Sequence, residues 1–132
     1  MEFLGFLIII FIIVAAYFFF IHPYVEDARR LREYEQSGLN DYPANGYDFE
    51  HWVAAKLRNY GWKATVTSSA GDQGIDVIAE KSNVVLGIQC KRLSKPCSNK
   101  AVQEAIAGGS FYGIPNVAVV STSGYTKSAI DL

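Results

Sequence analysis

Asp76, Gln89 and Lys91 are polar residues in places where the surrounding pattern is apolar. Asp76 interrupts Ile75-Asp76-Val77-Ile78, and Gln89 and Lys91 close the apolar run that starts at Val84. Two apart on a strand, Gln89 and Lys91 project to the same face, opposite Leu86, Ile88 and Cys90. An acid, an amide and a lysine on one sheet face are costly to desolvate unless they pair with one another or hold a ligand. Glu50 joins the group if Phe49 and Val53 aim its helix at the sheet.

An acid with one or two further oxygen donors and a lysine suits a hard divalent cation beside a phosphodiester. Mg²⁺ takes oxygen ligands and keeps several waters, so few protein groups suffice. Such a metal polarises a phosphoryl oxygen and lowers the pKa of bound water, and a lysine beside it orients that water or stabilises developing charge. The competing reading of the same residues is a structural ion pair between Asp76 and Lys91 across neighbouring strands. Short motifs of this kind do not by themselves decide between the two.

The elements that must position these residues follow from periodicity. Residues 47–60 carry Phe49, Trp52, Val53, Leu57 and Tyr60 at helical spacing, and Gly61 stops the helix. Residues 62–67 alternate as a half-buried strand. A glycine-containing turn over 68–74 leads to a second strand over 75–79. A tight turn at Lys81-Ser82-Asn83 leads to a third strand over 84–91, giving an antiparallel meander. A basic loop over 92–98 precedes a helix over 99–107, with Ala101, Val102, Ala105 and Ile106 on one side and Gly108-Gly109 as its stop. Residues 116–121 form an apolar strand of the kind buried on both faces, and a last helix begins near Ser123. The order is α-β-β-β-α-β plus a helical start, and the crossover makes the last strand parallel to the third. Trp52 and Trp62 read as core residues, Asp72 as a turn former, and His51, adjacent to Glu50 on a helix, as pointing elsewhere.

Of 132 residues, half are apolar, but the apolar share is unevenly placed. Residues 3–21 contain no charge, and the 111 residues after them hold all 12 Lys/Arg and 12 of the 13 Asp/Glu. This excludes a polytopic membrane protein and a disordered or disulfide-rich chain. Nineteen helical residues span ~28 Å, close to the ~30 Å hydrocarbon core. No basic residue precedes the run and no small-residue cleavage site ends it, so a permanent single span is expected rather than a signal peptide. Arg29, Arg30 and Arg32 follow it, which places the C-terminal part in the cytoplasm of a bacterial-type plasma membrane. Residues 1–22 therefore read as an anchor, 23–45 as a juxtamembrane linker and 46–132 as the functional module. Glu26 to Gln36 has helix-forming composition, with Glu26 spaced to pair with Arg30 and with the look of a solvated helix, and Ser37-Gly38-Leu39-Asn40 breaks it. The net charge of −1 gives no hint of a nucleic-acid partner and does not exclude one. Cys90 and Cys97 read as free thiols, and their spacing does not suit a structural zinc site.

Gly46-Tyr47-Asp48-Phe49-Glu50, Gly71-Asp72-Gln73-Gly74-Ile75-Asp76-Val77-Ile78-Ala79-Glu80 and Ile88-Gln89-Cys90-Lys91-Arg92 together resemble the Mrr-like restriction endonuclease domain of the PD-(D/E)xK nuclease superfamily. Gln103-Glu104-Ala105 and Val119-Val120-Ser121-Thr122-Ser123-Gly124-Tyr125-Thr126 resemble it too. The resemblance implies an α/β fold, a three-layer αβα restriction-endonuclease-like core of αβββαβ order behind the N-terminal transmembrane helix. It implies Mg²⁺-dependent DNA cleavage, with Mn²⁺ a plausible substitute. By matching position, Asp76 is the principal metal ligand and Gln89 stands at the acidic position of the motif as a neutral ligand. Lys91 is the catalytic lysine, Glu50 assists the metal, and the Cys90 carbonyl is a further ligand. Gln103 is carried over as a DNA-side residue. Arg92, Lys95 and Lys100 follow the active lysine and are placed to meet phosphates, although exposed loop lysines often only solvate a surface.

The first expectation is a membrane-anchored, metal-dependent DNA endonuclease with a role in restriction or defence. DNA and the bilayer are its partners, and a homodimer is a further one because enzymes of this class often cut two strands as dimers. The alternative is a DNA-binding or partner-binding module of the same fold with impaired catalysis. Family members usually continue beyond Lys127-Ser128-Ala129, so the C-terminus is expected to be short relative to them.

Overall fold

The computed structural model describes residues 2–36, 41–67 and 73–132. The expected break at 37–40, most of the turn over 68–74 and Asp72 lie outside the described residues.

Helix α1 (Glu2–Ala16) passes through a π-helical turn (Tyr17–Ile21) into α2 (His22–Gln36). Leu4–Gln36 is one run of 33 helical residues, long and apolar enough in its N-terminal part to cross a membrane, and that part is not buried by the rest of the chain. The charged second half behaves differently. It packs on α3 (Gly46–Asn59), and Leu31 is buried in the core beside Phe49, Val53 and Ala54. This segment was expected to be a solvated linker helix, but apolar Leu31 and Tyr34 give it a face to bury. Arg30 correspondingly pairs with Asp48 of α3, not with Glu26, and Glu26 pairs with Arg29 at 3.2 Å.

The start of α3 is set locally. The Asn45 side chain accepts from the Asp48 N–H at 2.8 Å and donates to the Asp48 carboxylate at 2.6 Å, a reciprocal cap that satisfies an otherwise orphaned N–H. The chain leaves α3 through Gly61 at φ +80°, where a side chain would be strained. Strands β1 (Lys63–Val66), β2 (Val77–Lys81) and β3 (Val84–Lys91) form the antiparallel meander, with Ser82-Asn83 as the two-residue turn. Helix α4 (Asn99–Tyr112) crosses over to β4 (Asn116–Ser121), which pairs parallel to β3, and α5 (Lys127–Ile130) follows. The sheet order is β1-β2-β3-β4.

Alternation along the strands separates two faces. Val77, Ala79, Ile88, Cys90, Ala118 and Val120 belong to the core under α3. Gly87 and Val117 meet Ile75 and α4 on the other side. Trp52 and Trp62 pack against the α3-side core, as expected of them.

Helix α4 corrects two expectations. It continues through Gly108-Gly109 and ends at Gly113, in the left-handed region at φ +68°. Its buried side is Ala101, Ala105, Gly108 and Gly109, while Ile106 is exposed. The two glycines are packing positions. A Cβ on Gly108 would lie 2.4 Å from the Gln73 carbonyl oxygen, and one on Gly109 would lie 2.5 Å from Val117 Cγ1. Close approach to the sheet, not termination, is what they supply.

Candidate active site

Asp76 stands one residue ahead of β2, with its backbone held from both sides. Its N–H donates to Ile88 O at 2.8 Å, and its carbonyl accepts from Thr67 N–H at 2.8 Å. The expected second strand therefore starts later than its apolar pattern, yet Asp76 keeps a strand-like register and its side chain shares a face with Gln89. Asp76 is buried, and its Oδ2 accepts from the Cys90 backbone N–H at 2.6 Å and from the Gln89 side-chain amide. These two bonds fix the orientation of the carboxylate.

Gln89 and Lys91 project together toward α4, as their spacing requires. Lys91 pairs with Glu104 of α4. Its Nζ lies 2.7 Å from Glu104 Oε2, and the Glu104 Oε1 faces Lys100 Nζ at 3.8 Å. Glu50, Gln73, Gly74, Asp76, Gln89, Cys90, Lys91 and Glu104 line one polar cavity of about 550 Å³. The Cys90 thiol registers the acidity of this space. Burial first, then the charges of Asp76 and Glu50, push its pKa up, against the opposing effect of Lys91.

Four expected residues, Glu50, Asp76, Gln89 and Lys91, thus meet in one cavity with Cys90. Arg92 is engaged elsewhere. Its Nε donates to Pro43 O at 2.9 Å, and its guanidinium lies 5.1 Å from the Tyr42 ring centre, so it ties the segment before α3 to the end of β3. Lys95 is exposed in the loop before α4, Lys100 is exposed in its first turn, and Gln103 is on the exposed side of that helix. Its neighbour Glu104 is the residue that enters the cavity, and sequence reasoning did not single it out. The signal was present. Glu104 lies three residues after Ala101 and four before Gly108, on the stripe that packs against the sheet.

His51 is fully buried and faces α2, not the cavity. Its Nδ1 donates to Tyr47 O at 3.0 Å, and its Nε2 lies 3.0 Å from Asp27 Oδ1. This agrees with the expectation that His51 points away from Glu50.

A divalent cation fits the donor set. Three carboxylates, Glu50, Asp76 and Glu104, share the cavity with one lysine, an acidic excess that a hard cation would neutralise. Among the described residues no three His, Cys, Asp or Glu side chains form a ready metal cluster. The donors would instead be two carboxylates completed by amide and carbonyl oxygens, a set suited to a cation that keeps its own waters.

No curated protein matches the chain. Among solved structures, the protein of unknown function AF1548 matches with a TM-score of 0.57 and 21% identity, over 66% of this chain and 52% of that one. The chain therefore spans about half the length of that relative, and the likeness establishes the fold. Archaeoglobus fulgidus Hjc, a Holliday junction resolvase from an archaeal hyperthermophile, matches with a TM-score of 0.44 and 22% identity, over 58% of this chain and 65% of that one. The Mrr_cat restriction endonuclease family model matches residues 43–132, a stretch that includes Glu50, Asp76, Gln89 and Lys91. With the resemblance of its ordered motifs matched by a family assignment over most of its length and by a four-stranded α/β fold, the chain belongs to the Mrr_cat restriction endonuclease family of DNA nucleases.

Proposed function

We propose that this protein is a membrane-anchored, divalent-metal-dependent DNA endonuclease whose active centre is the cavity of Glu50, Asp76, Gln89 and Lys91. The observation that carries this reading is the convergence of those four side chains on one polar cavity, with Asp76 held by Cys90 N–H and Gln89. Asp76, Glu50, the Gln89 amide oxygen and the Cys90 carbonyl would hold the cation, with Mg²⁺ the natural occupant and Mn²⁺ a substitute. Bound there, the metal supplies Lewis-acid polarisation of the phosphodiester and a hydroxide-like nucleophile near neutral pH.

The residues of the chain do the rest. Gln89 donates through Nε2 to Asp76, which orients its oxygen as the ligand atom and fixes the carboxylate. Lys91 brings a positive charge to the cavity, where it stabilises negative charge developing on the phosphate. Lys95 and Lys100, both exposed, would contact phosphates of the DNA backbone, and their contribution is expected to fall with added salt.

The anchor reading is supported by the apolar run within Leu4–Gln36 and by the arginines that follow it, which favour a cytoplasmic nuclease domain. A role in restriction or defence fits a nuclease held at the membrane.

The test is cleavage of supercoiled plasmid by the full chain in detergent micelles, with Mg²⁺, with Mn²⁺ and with EDTA, beside Lys91→Ala. Metal-dependent nicking that vanishes in Lys91→Ala is the expected result. DNA binding without nicking by the folded wild-type chain would replace the nuclease by a binding module. Membrane fractionation and a C-terminal reporter active only in the cytoplasm test the anchor and its orientation separately.

A further inference from the structure

Glu104 is an acidic residue of the cavity to which the proposed mechanism gives no role. Its Oε2 is 2.7 Å from Lys91 Nζ, and both side chains are only partly exposed, at 36% and 27%. The pair is shielded enough for direction to matter, because hydrogen bonds between ionised groups are short and strongly oriented. The backbone beneath Glu104 is also fixed. A Cβ on Gly74 would fall 2.4 Å from the Glu104 carbonyl oxygen, and a Cβ on Gly108 would fall 2.4 Å from the Gln73 carbonyl oxygen. Two bare glycines thus let α4 sit directly on the loop that delivers Asp76. The helix carrying Glu104 and the segment carrying Asp76 are in backbone contact, and Lys91 is fastened to the first while Gln89 is fastened to the second.

We propose that Glu104 is a positioning residue for Lys91. It holds the ammonium group in the cavity at a set distance from Asp76 and Gln89, so that the lysine is placed before DNA arrives. A long side chain with four rotatable bonds otherwise loses that placement to rotamer freedom, and a supporting shell that locks a reacting group is what preserves its geometry. Lys100, held by the other oxygen of Glu104 at 3.8 Å but 79% exposed, adds little to this.

The kinetic arm of the test rests on the nuclease reading, so a second readout is independent of activity. The full chain, labelled with ¹⁵N-lysine in detergent micelles, is compared as wild type, Glu104→Gln, Glu104→Asp and Lys91→Ala. Glu104→Gln keeps the size of the side chain, and Glu104→Asp keeps its charge. A Lys91 ammonium signal, assigned by its loss in Lys91→Ala, is expected in the wild type, missing or broadened in Glu104→Gln and partly recovered in Glu104→Asp. On plasmid DNA, Glu104→Gln is expected to lower kcat about 10–100-fold, the range of lost outer-shell support. KM is expected to stay unchanged or fall, because a negative charge beside the phosphates is gone. Glu104→Asp is expected to recover part of kcat.

A kcat within about twofold of wild type, a raised kcat, or an equal rise in KM would overturn the proposal. An identical lysine signal in wild type and Glu104→Gln would overturn it as well. If wild-type protein cleaves nothing, the nuclease reading fails and the lysine signal alone decides the positioning role.

Discussion

Asp27 Oδ1 lies 3.0 Å from His51 Nε2 across the seam between α2 and α3, and the same oxygen accepts from the Tyr47 hydroxyl at 2.7 Å. Both protein partners of the His51 ring, Asp27 and the Tyr47 carbonyl, are acceptors. The seam continues through Arg30 with Asp48 and through Arg58 with Glu35 at 3.3 Å. It joins the extension of the apolar span to the helix that carries Glu50.

Removing the shared acceptor tests the seam. Asp27→Ala leaves the buried His51 ring and the Tyr47 hydroxyl without it, at an expected cost of about 1–3 kcal/mol, the lower end applying where water enters. Urea unfolding of the full chain in detergent measures this, with Asp27→Asn expected to lose less. An unchanged midpoint would mean that the seam adds nothing to stability.

Tyr47 carries a pH signature of the same seam. Partial burial of its hydroxyl, then its hydrogen bond to Asp27, push the phenol up to about 12. The neutral phenol is the favoured form in the folded state, whereas an unfolded tyrosine ionises near pH ~10. Its contribution to stability is therefore complete below pH ~10 and is lost as pH rises through about 12. Ultraviolet difference titration of wild type against Tyr47→Phe isolates the step, and an ordinary tyrosine titration at this position would contradict the placement.

At Asp76, stability and activity should separate. Asp76→Ala strips the acceptor from the buried Cys90 N–H and the Gln89 amide, for an expected loss of about 1–3 kcal/mol. Asp76→Asn retains an oxygen acceptor and should unfold closer to wild type. Both should reduce plasmid cleavage by on the order of 100-fold or more, since each removes the negative charge of the principal ligand. Cleavage by Asp76→Asn near the wild-type rate would remove Asp76 from the active centre.

Two glycines should respond to alanine with opposite signs. Gly108→Ala places a Cβ 2.4 Å from Gln73 O and 2.8 Å from Ile75 Cγ1, and so must push α4 from the sheet. The expected cost is about 1–3 kcal/mol, with reduced cleavage as Glu104 and Lys91 lose their support. Gly46→Ala, in the first turn of α3, meets nothing within 4 Å and should stabilise by up to ~1 kcal/mol. Denaturant midpoints of the two variants check the contrast.

The two thiols should be silent in the folded protein. Cys90 and Cys97 are both buried, and burial pushes both thiol pKa values up, so little thiolate is present near neutral pH. A thiol-reactive dye is expected to label neither until the chain is unfolded. Rapid labelling of the native chain would contradict this.

Local pattern carried a large part of this protein. The apolar run, the alternation of β3, the helical spacing of α3 and the shared face of Gln89 and Lys91 depend only on neighbours along the chain. So does the parallel return to β4, which follows from a helix between two strands. Which distant faces meet is not a property of neighbours. Glu104 and Gln103 are adjacent in sequence but turned by about 100° on a helix, and only the seating of the glycine stripe on the sheet decides which one reaches Lys91.

The same holds at the N-terminal seam. Arg30 has Glu26 at helical spacing, yet docking of α2 on α3 offers Asp48 instead, and burial of Leu31 holds that docking in place. The residues able to do chemistry were determined by the sequence. The partner of Lys91, the setting of His51 and the union of α2 with the domain were decided by tertiary packing. Each depends on which surfaces bury the most apolar area together.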